Sequence, residues 1–285
     1  MVFMIRYEAN FNNEYFVEYF RKLKKYKNRI CLPKDNPKRP ISVVTTCMNR
    51  IADIRLTLPE NLKSNSDYPG EFVLLDYGSQ DGLGEWVKLD MKNELNSNRL
   101  VYYRTEQDVF KPNHSRNISF RLASHELITN VDADNYTNVG FLNRLNELNS
   151  CSKLIILPES FLDPNSDRLN LRGRFALHKN NIEFLGGFDE SLDNGYSHDD
   201  VNFVFRAILA GFNIARFEDK FLENRIETPY EIRTRLMKNK SLLDAKQSNA
   251  RLTTEVLARC ALTANYGKDW GSATVVRNFS EKLQL

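Results

Sequence analysis

Asp132 and Asp134 stand two residues apart, directly after the apolar run Leu127-Ile128-Thr129-Asn130-Val131. Two carboxylates at that spacing, where a strand runs out into a loop, can converge on one divalent cation or divide between the cation and a ribose. Mg2+ and Mn2+ favour such oxygen ligands and complete their shells with water and substrate phosphates. A second acidic site lies in Gly195-Tyr196-Ser197-His198-Asp199-Asp200. At a helix start Asp200 can satisfy free amides as a cap. The same carboxylate beside an acceptor hydroxyl can take its proton as a general base, and the two roles can coexist. Of the four histidines, only His198 adjoins an acidic motif, which makes it a candidate for a metal or acceptor contact. His114, His125 and His178 read as ordinary polar or partly buried residues.

These groups need elements to position them. Ile41–Thr46 is a short β-rich strand, and residues 51–64 can form a helix. Glu71–Asp76 is a second strand ending in a Gly-Ser turn, followed by a helix over Gly84–Asn96 and a third strand over Leu100–Tyr103. His114–Ser124 is helical, and Glu126–Val131 is a strand that runs into Asp132. Strands alternating with helices imply a largely parallel sheet covered on both faces. Leu154–Leu157 and Arg174–His178 read as further strands, and Val201–Ala210 as a helix ended by Gly211. Ligands of open α/β sheets bind beyond the carboxyl ends of the strands. Thr45-Thr46-Cys47-Met48-Asn49-Arg50, Asp76-Tyr77-Gly78-Ser79 and Asp132-Ala133-Asp134 all fall at such ends and describe one crevice.

On either side of this region the pattern changes. Phe16, Tyr19, Phe20 and Leu23 have helical spacing and predict an amphipathic helix over Asn12–Tyr26, with a Pro-rich linker (Pro33, Pro37, Pro40) after it. Arg21, Lys22, Lys24, Lys25, Lys27, Arg29, Lys34, Lys38 and Arg39 crowd the same stretch. That run is either a solvated face or a patch for a polyanion such as nucleic acid or acidic lipid. From Pro229 onward the pattern reads as helical and charged. The organisation expected is therefore an N-terminal extension over 1–40, a main domain over 41–225 and a helical C-terminal extension over 226–285. A 41% hydrophobic, 27% charged chain of 285 residues can bury a sizeable core, and a formal charge of +3 selects no partner class. Four scattered cysteines without ligand spacing suggest reduced thiols and a cytoplasmic setting. No apolar run approaches the roughly 18 residues of a membrane span.

Taken in order, these motifs resemble the GT-A glycosyltransferases, nearest to glycosyltransferase family 2 and the C-terminal half of the β-1,4-galactosyltransferases. ISVVTTCMNR is similar to the family's first strand and nucleotide loop, and LLDYGSQDG to its "vDDGSxDg" segment. NHSRNISFRLASHELITNVDADN resembles the stretch that ends in the DxD motif. RGRFALHKNNIEFLGGFDESL resembles the "GGFDE" segment, and GYSHDDVNFVFRAILAGF the "GxxxEDxDxxxRxxxxG" segment. Two departures stand out: Tyr77 replaces the family's second aspartate, and no histidine follows His198 to act as a late metal ligand.

The resemblance implies a GT-A α/β fold and an inverting transfer from a nucleoside-diphosphate sugar, of the UDP-sugar class, to an acceptor hydroxyl of a glycan. A divalent Mn2+ or Mg2+ would be held by Asp134 and Asp132, with His198 as a further candidate. Asp200 would be the catalytic base, with Asp199 beside it. Thr45, Cys47, Asn49, Arg50, Asp76, Arg116, Asn117, Asp132 and Asp134 would contact the donor. Gly186, Gly187, Phe188 and Asp189 would frame the sugar and acceptor, the glycines letting backbone approach the sugar closely. Two alternatives are a sugar transferase acting on nucleic acid through the basic N-terminal run and helical tail, and a non-catalytic nucleotide-sugar-binding module. The absence of GxGxxG after the first strand disfavours a dinucleotide-binding dehydrogenase, and no P-loop is present.

Overall fold

The computed structural model describes residues 37–162, 173–195, 197–222, 224–227 and 242–285. The aromatic stripe over Asn12–Tyr26 and most of the basic run fall outside them. Nine strands form one sheet, in the order β7-β5-β6-β4-β1-β2-β3-β8-β9. They are β1 (Ile41–Cys47), β2 (Gly70–Asp76), β3 (Leu100–Arg104), β4 (Leu127–Asn130), β5 (Leu154–Pro158), β6 (Ala176–His178), β7 (Asn213–Phe217), β8 (Thr274–Arg277) and β9 (Glu281–Gln284). The central strands β4, β1, β2 and β3 are parallel. On either side β6 and β8 pair antiparallel, so the sheet is mixed around the parallel centre that the sequence predicts.

Period-2 alternation sends β1 and β2 side chains to two separate cores. Ile41, Val43, Phe72 and Leu74 face one, and Val44, Val73, Leu75 and Tyr77 face the other. The first core is closed by α1 (Ile51–Ser64), through Ile54, Leu58 and Leu62, and by Phe141 and Leu145 of α5 (Phe141–Leu148). Ile118 and Phe120 of α4 (Pro112–Leu122), and Phe203 and Val204 of α7 (Asp199–Leu209), help close the second. Between α1 and α4 in the chain lie α2 (Leu83–Asp90), whose Leu83 and Val87 join the first core, and α3 (Lys92–Asn96), which break at Met91 what the sequence reads as one helix. Two further helices are α6 (Lys179–Phe184) and α8 (Leu242–Ala258). None of the described helices is long and apolar enough to cross a membrane.

The C-terminal stretch departs from its helical reading. After α8 the chain forms the β8–β9 hairpin, which extends the sheet beside β3. Asn278 at its turn fixes the register: its Oδ1 accepts from the Tyr102 amide at 3.0 Å and its own amide donates to the Tyr102 carbonyl at 2.8 Å. Phe279 stacks on the Tyr102 ring, with centroids 4.7 Å apart.

Candidate active site

Register alone brings the strand ends together. Cys47 pairs with Asp76 at the ends of β1 and β2, and the Val131 amide donates to the Val44 carbonyl at 3.0 Å. The loops beyond are zipped by side chains. The Asn49 amide donates to Ser79 Oγ at 3.0 Å, and Asn49 Oδ1 accepts from the Gln80 amide at 2.6 Å. Asp81 Oδ2 accepts from the Ile51 amide at 2.8 Å, which caps α1 from thirty residues away.

Four aspartates and three arginines then meet. Arg116, on α4, donates through Nη1 to Asp199 and, at 3.1 Å, to Asp200 Oδ1. Its Nη2 lies 3.6 Å from Asp132 Oδ1. Arg174 Nη2 is 3.3 Å from Asp132 Oδ2 and also donates to Asn135. Arg50 Nη2 reaches Asp134 Oδ2 at 3.3 Å, while its Nε holds Asp53. The DxD pair and the Asp199-Asp200 pair, sixty-odd residues apart, thus share one cationic bridge.

Charge and burial act differently on these acids. Burial alone would raise the Asp132 carboxyl, but Arg174 and Arg116 hold it below the usual carboxylate range. Asp200 goes the other way: burial and the adjacent Asp199 charge raise it, against the opposing pull of Arg116. Both Asp199 and Asp200 sit in the first turn of α7, where the helix dipole favours negative charge. His198 is the residue before that helix and adopts φ +69°. Gly173 closes over the cluster, since a Cβ there would lie 3.2 Å from Asp200 Oδ2 and 3.3 Å from Arg116 Nη2.

Other residues expected in the site are spent on its scaffold. Asp76 is fully buried: Oδ1 accepts from the Ser79 amide at 2.7 Å, and Oδ2 from Tyr102 Oη at 2.6 Å and Arg104 Nη1 at 2.9 Å. Its carboxylate is covered by β3 side chains rather than open to a base. Thr45 Oγ1 donates to the Val131 carbonyl at 2.8 Å, joining β1 to β4. Cys47 points into the core, and burial pushes its thiol well above the ordinary range. Asn117 is fully buried, clamping the Phe188 backbone through Oδ1 (2.7 Å) and Nδ2 (3.0 Å).

Gly186 and Gly187 have φ +67° and +68°, but their tight contacts differ from those expected. A Cβ on Gly186 would overlap the Ala264 carbonyl, and one on Gly187 would lie 2.5 Å from Asn117 Oδ1 and 2.8 Å from Trp270. What demands glycine here is the protein's own packing, the C-terminal segment at Gly186 and both Asn117 and Trp270 at Gly187. Phe188 is fully buried beneath Arg116, and Asp189 caps the 3-10 turn Glu190–Asn194 through the Ser191 amide at 3.0 Å. Tyr77 is likewise core: its hydroxyl meets His114 Nδ1 at 2.7 Å, and His114 Nε2 lies 3.1 Å from the Ser272 carbonyl.

Arg174, Arg104 and Gly173 were not singled out from the sequence. Arg174 and Gly173 lie within the RGRF segment of the motif series, and Arg104 ends β3 at the same sheet edge as Asp76. Among the described residues, no group of three or more His, Cys, Asp or Glu side chains could hold a metal ion. Asp132 and Asp134 offer carboxylate oxygens alone, a donor set that fits Mg2+ or Mn2+ with the remainder of the shell from phosphate and water.

Residues 42–150 match the family model described as Glycosyl transferase family 2. A 111-residue stretch, 39% of the chain, is 29% identical to the hyaluronan synthase of Pasteurella multocida, and the match spans 11% of that synthase's length. Among solved structures, the mannosyltransferase PcManGT from Pyrobaculum calidifontis, in complex with GDP-Man and Mn2+, is similar with TM-score 0.60 and 17% identity. The likeness covers 87% of this chain and 76% of that one. TarS 1-349 of S. aureus, in complex with UDP-GlcNAc, gives TM-score 0.58 and 20% identity over 80% of this chain and 68% of that one. The chain has the GT-A fold of these glycosyltransferases, and residues 42–150 of it match Glycosyl transferase family 2.

Proposed function

We propose that this protein is an inverting glycosyltransferase that moves a sugar from a nucleoside-diphosphate sugar, of the UDP-sugar class, to a hydroxyl of a glycan. The observation that carries the reading is the Arg116 bridge, which joins Asp132 of the DxD motif to Asp199 and Asp200. A donor-side carboxylate and a buried base are thereby held in one rigid cluster. The raised affinity of Asp200 for protons suits it to accept the acceptor's O–H proton as that oxygen attacks the anomeric carbon. The bond from that carbon to the diphosphate breaks on the opposite face, and its electron pair leaves with the nucleoside diphosphate.

Asp134 and Asp132 would hold the divalent cation, which when bound supplies charge neutralisation for the departing diphosphate. Arg50 and Arg174 fix the rotamers of those two carboxylates. On this reading residues 41–225 form the catalytic unit. We place the activity in the cytoplasm, where the free thiols of Cys47, Cys151 and Cys260 would stay reduced.

Hydrolysis and transfer assays with UDP-GlcNAc and GDP-mannose, with Mn2+ and with a chelator, test the proposal. Asp200→Asn should abolish turnover while leaving UDP binding in place, and Asp134→Ala should remove the metal dependence of that binding. Full turnover by Asp200→Asn would sink the assignment of the base.

A further inference from the structure

We propose that Asn249, on the C-terminal helix α8, is a positioning residue for the Asp199-Asp200 pair; the inference rests on the function proposed above. Asn249 is 2% exposed, and its Nδ2 donates to two carbonyls, Leu192 at 3.0 Å and Ser197 at 2.9 Å. Those carbonyls flank Gly195, which has no room for a side chain. A Cβ there would overlap the Asn249 amide and lie 2.8 Å from the Ala245 carbonyl. α8 is therefore seated directly on the backbone that leads into the acidic pair.

That backbone needs holding. Ser197 and His198 adopt φ +65° and +69°, the left-handed region that residues with a Cβ disfavour. Such conformations persist only where the surroundings over-determine them. The His198 carbonyl starts α7 by accepting from the Asn202 amide at 2.8 Å, so the Ser197 carbonyl gripped by Asn249 lies just ahead of the helix. The same segment is tied on its other side to α4. Asp193 accepts from the amides of Asn113 at 2.7 Å and His114 at 3.1 Å, in the first turn of the helix that carries Arg116. One short stretch thus sets both the aspartates and the arginine that bridges them, and Asn249 is its anchor on the C-terminal side.

Asn249→Asp keeps the shape but replaces the donor with an oxygen facing two carbonyls; Asn249→Ala removes the group and covers the case in which the first variant folds poorly. Three readouts separate positioning from a general loss of stability. With whichever of UDP-GlcNAc and GDP-mannose the wild type turns over, kcat should fall about tenfold or more, the signature of a group that acts on the chemical step. Affinity for UDP with Mn2+ should change by less than about twofold, as that signature also requires. Amide hydrogen exchange should accelerate over residues 192–203 and stay unchanged in β1–β4. An unchanged kcat well below the melting temperature overturns the proposal, as does a fall in kcat matched by lost UDP affinity. If the wild type neither turns over nor binds any nucleoside-diphosphate sugar, the proposed function fails; where turnover is absent, hydrogen exchange alone decides the role of Asn249. Unchanged exchange over 192–203, or acceleration spread equally through the sheet, then overturns it.

Discussion

The guanidinium of Arg116 lies 5.1 Å from the centroid of the Phe188 ring. The cation that bridges the two acidic motifs therefore rests on the aromatic core, where Phe188 packs against Phe120, Phe175 and Phe203. A cation over a ring in a desolvated setting gains about 2 kcal/mol. Arg116→Lys keeps the charge but loses the planar fork, so turnover should fall while the fold survives. Arg116→Met leaves Asp199 and Asp200 without their bridge and should destabilise by about 3–5 kcal/mol, the usual cost of stripping one partner from a buried ion pair. Thermal melts of the two variants beside wild type check this.

As the base proposed above, Asp200 would set a pH limb. Burial and the Asp199 charge push its carboxyl up to about 7, and only the ionised form can accept a proton. kcat/KM should therefore rise with pH through about 7 and level off above it, as expected for a free-enzyme base. Stability should follow the opposite sign. A carboxyl that binds its proton more tightly when folded contributes stability at low pH, and that contribution is lost as pH rises through the folded value. In Asp200→Asn the fall in melting temperature across that window should flatten.

Gly173→Ala should cut turnover without abolishing donor binding. The added methyl would press on Asp200 and Arg116 at 3.2–3.3 Å, forcing one of them to shift by a few tenths of an ångström. Small misplacements of reacting groups are costly to rate. The check is kcat against UDP affinity in the same variant; equal kcat to wild type would show that the pair tolerates the push.

Asn202→Asp should stabilise the protein. Arg206 is fully buried, donates to the Gly187 carbonyl at 2.7 Å and takes Asn202 Oδ1 on Nε at 2.9 Å. Burial lowers its guanidinium to about 10, while Asn202 Nδ2 is buried with no hydrogen-bond partner among the described residues. A carboxylate replaces that orphan donor with an acceptor and turns a charge–dipole contact into an ion pair, setting a counter-charge beside the buried cation. A rise of roughly 2–4 °C in melting temperature per kcal/mol is the expected scale.

The central sheet was legible because each strand is a continuous apolar run closed by turn residues. Ile41–Thr46 and the 51–64 helix were placed within a residue of the structure. The hairpin at the C-terminus was not. Its strands are four residues each, β9 is mostly exposed and polar, and its Asn278-Phe279 turn lacks the usual glycine signal. In the site, motif order located the carboxylates that Arg116 joins. It could not show that Asp76 is covered by Tyr102 and Arg104, because that depends on side chains from another strand. Nor could it show that Asn117 clamps the Phe188 backbone, or that Gly186 and Gly187 serve the contact with Ala264 and Trp270, which lie about eighty residues further along the chain.

Four aspartates outnumber the three arginines that hold them at the strand ends. A dianionic diphosphate approaching this surface by itself meets charge of its own sign in a partly desolvated setting, where repulsion is strongest. The same ligand accompanied by a divalent cation does not. Steady-state kinetics should therefore be ordered, with the cation entering before or together with the nucleotide. Free UDP should compete poorly until metal is supplied, and nucleotide affinity should climb with metal concentration well past stoichiometry.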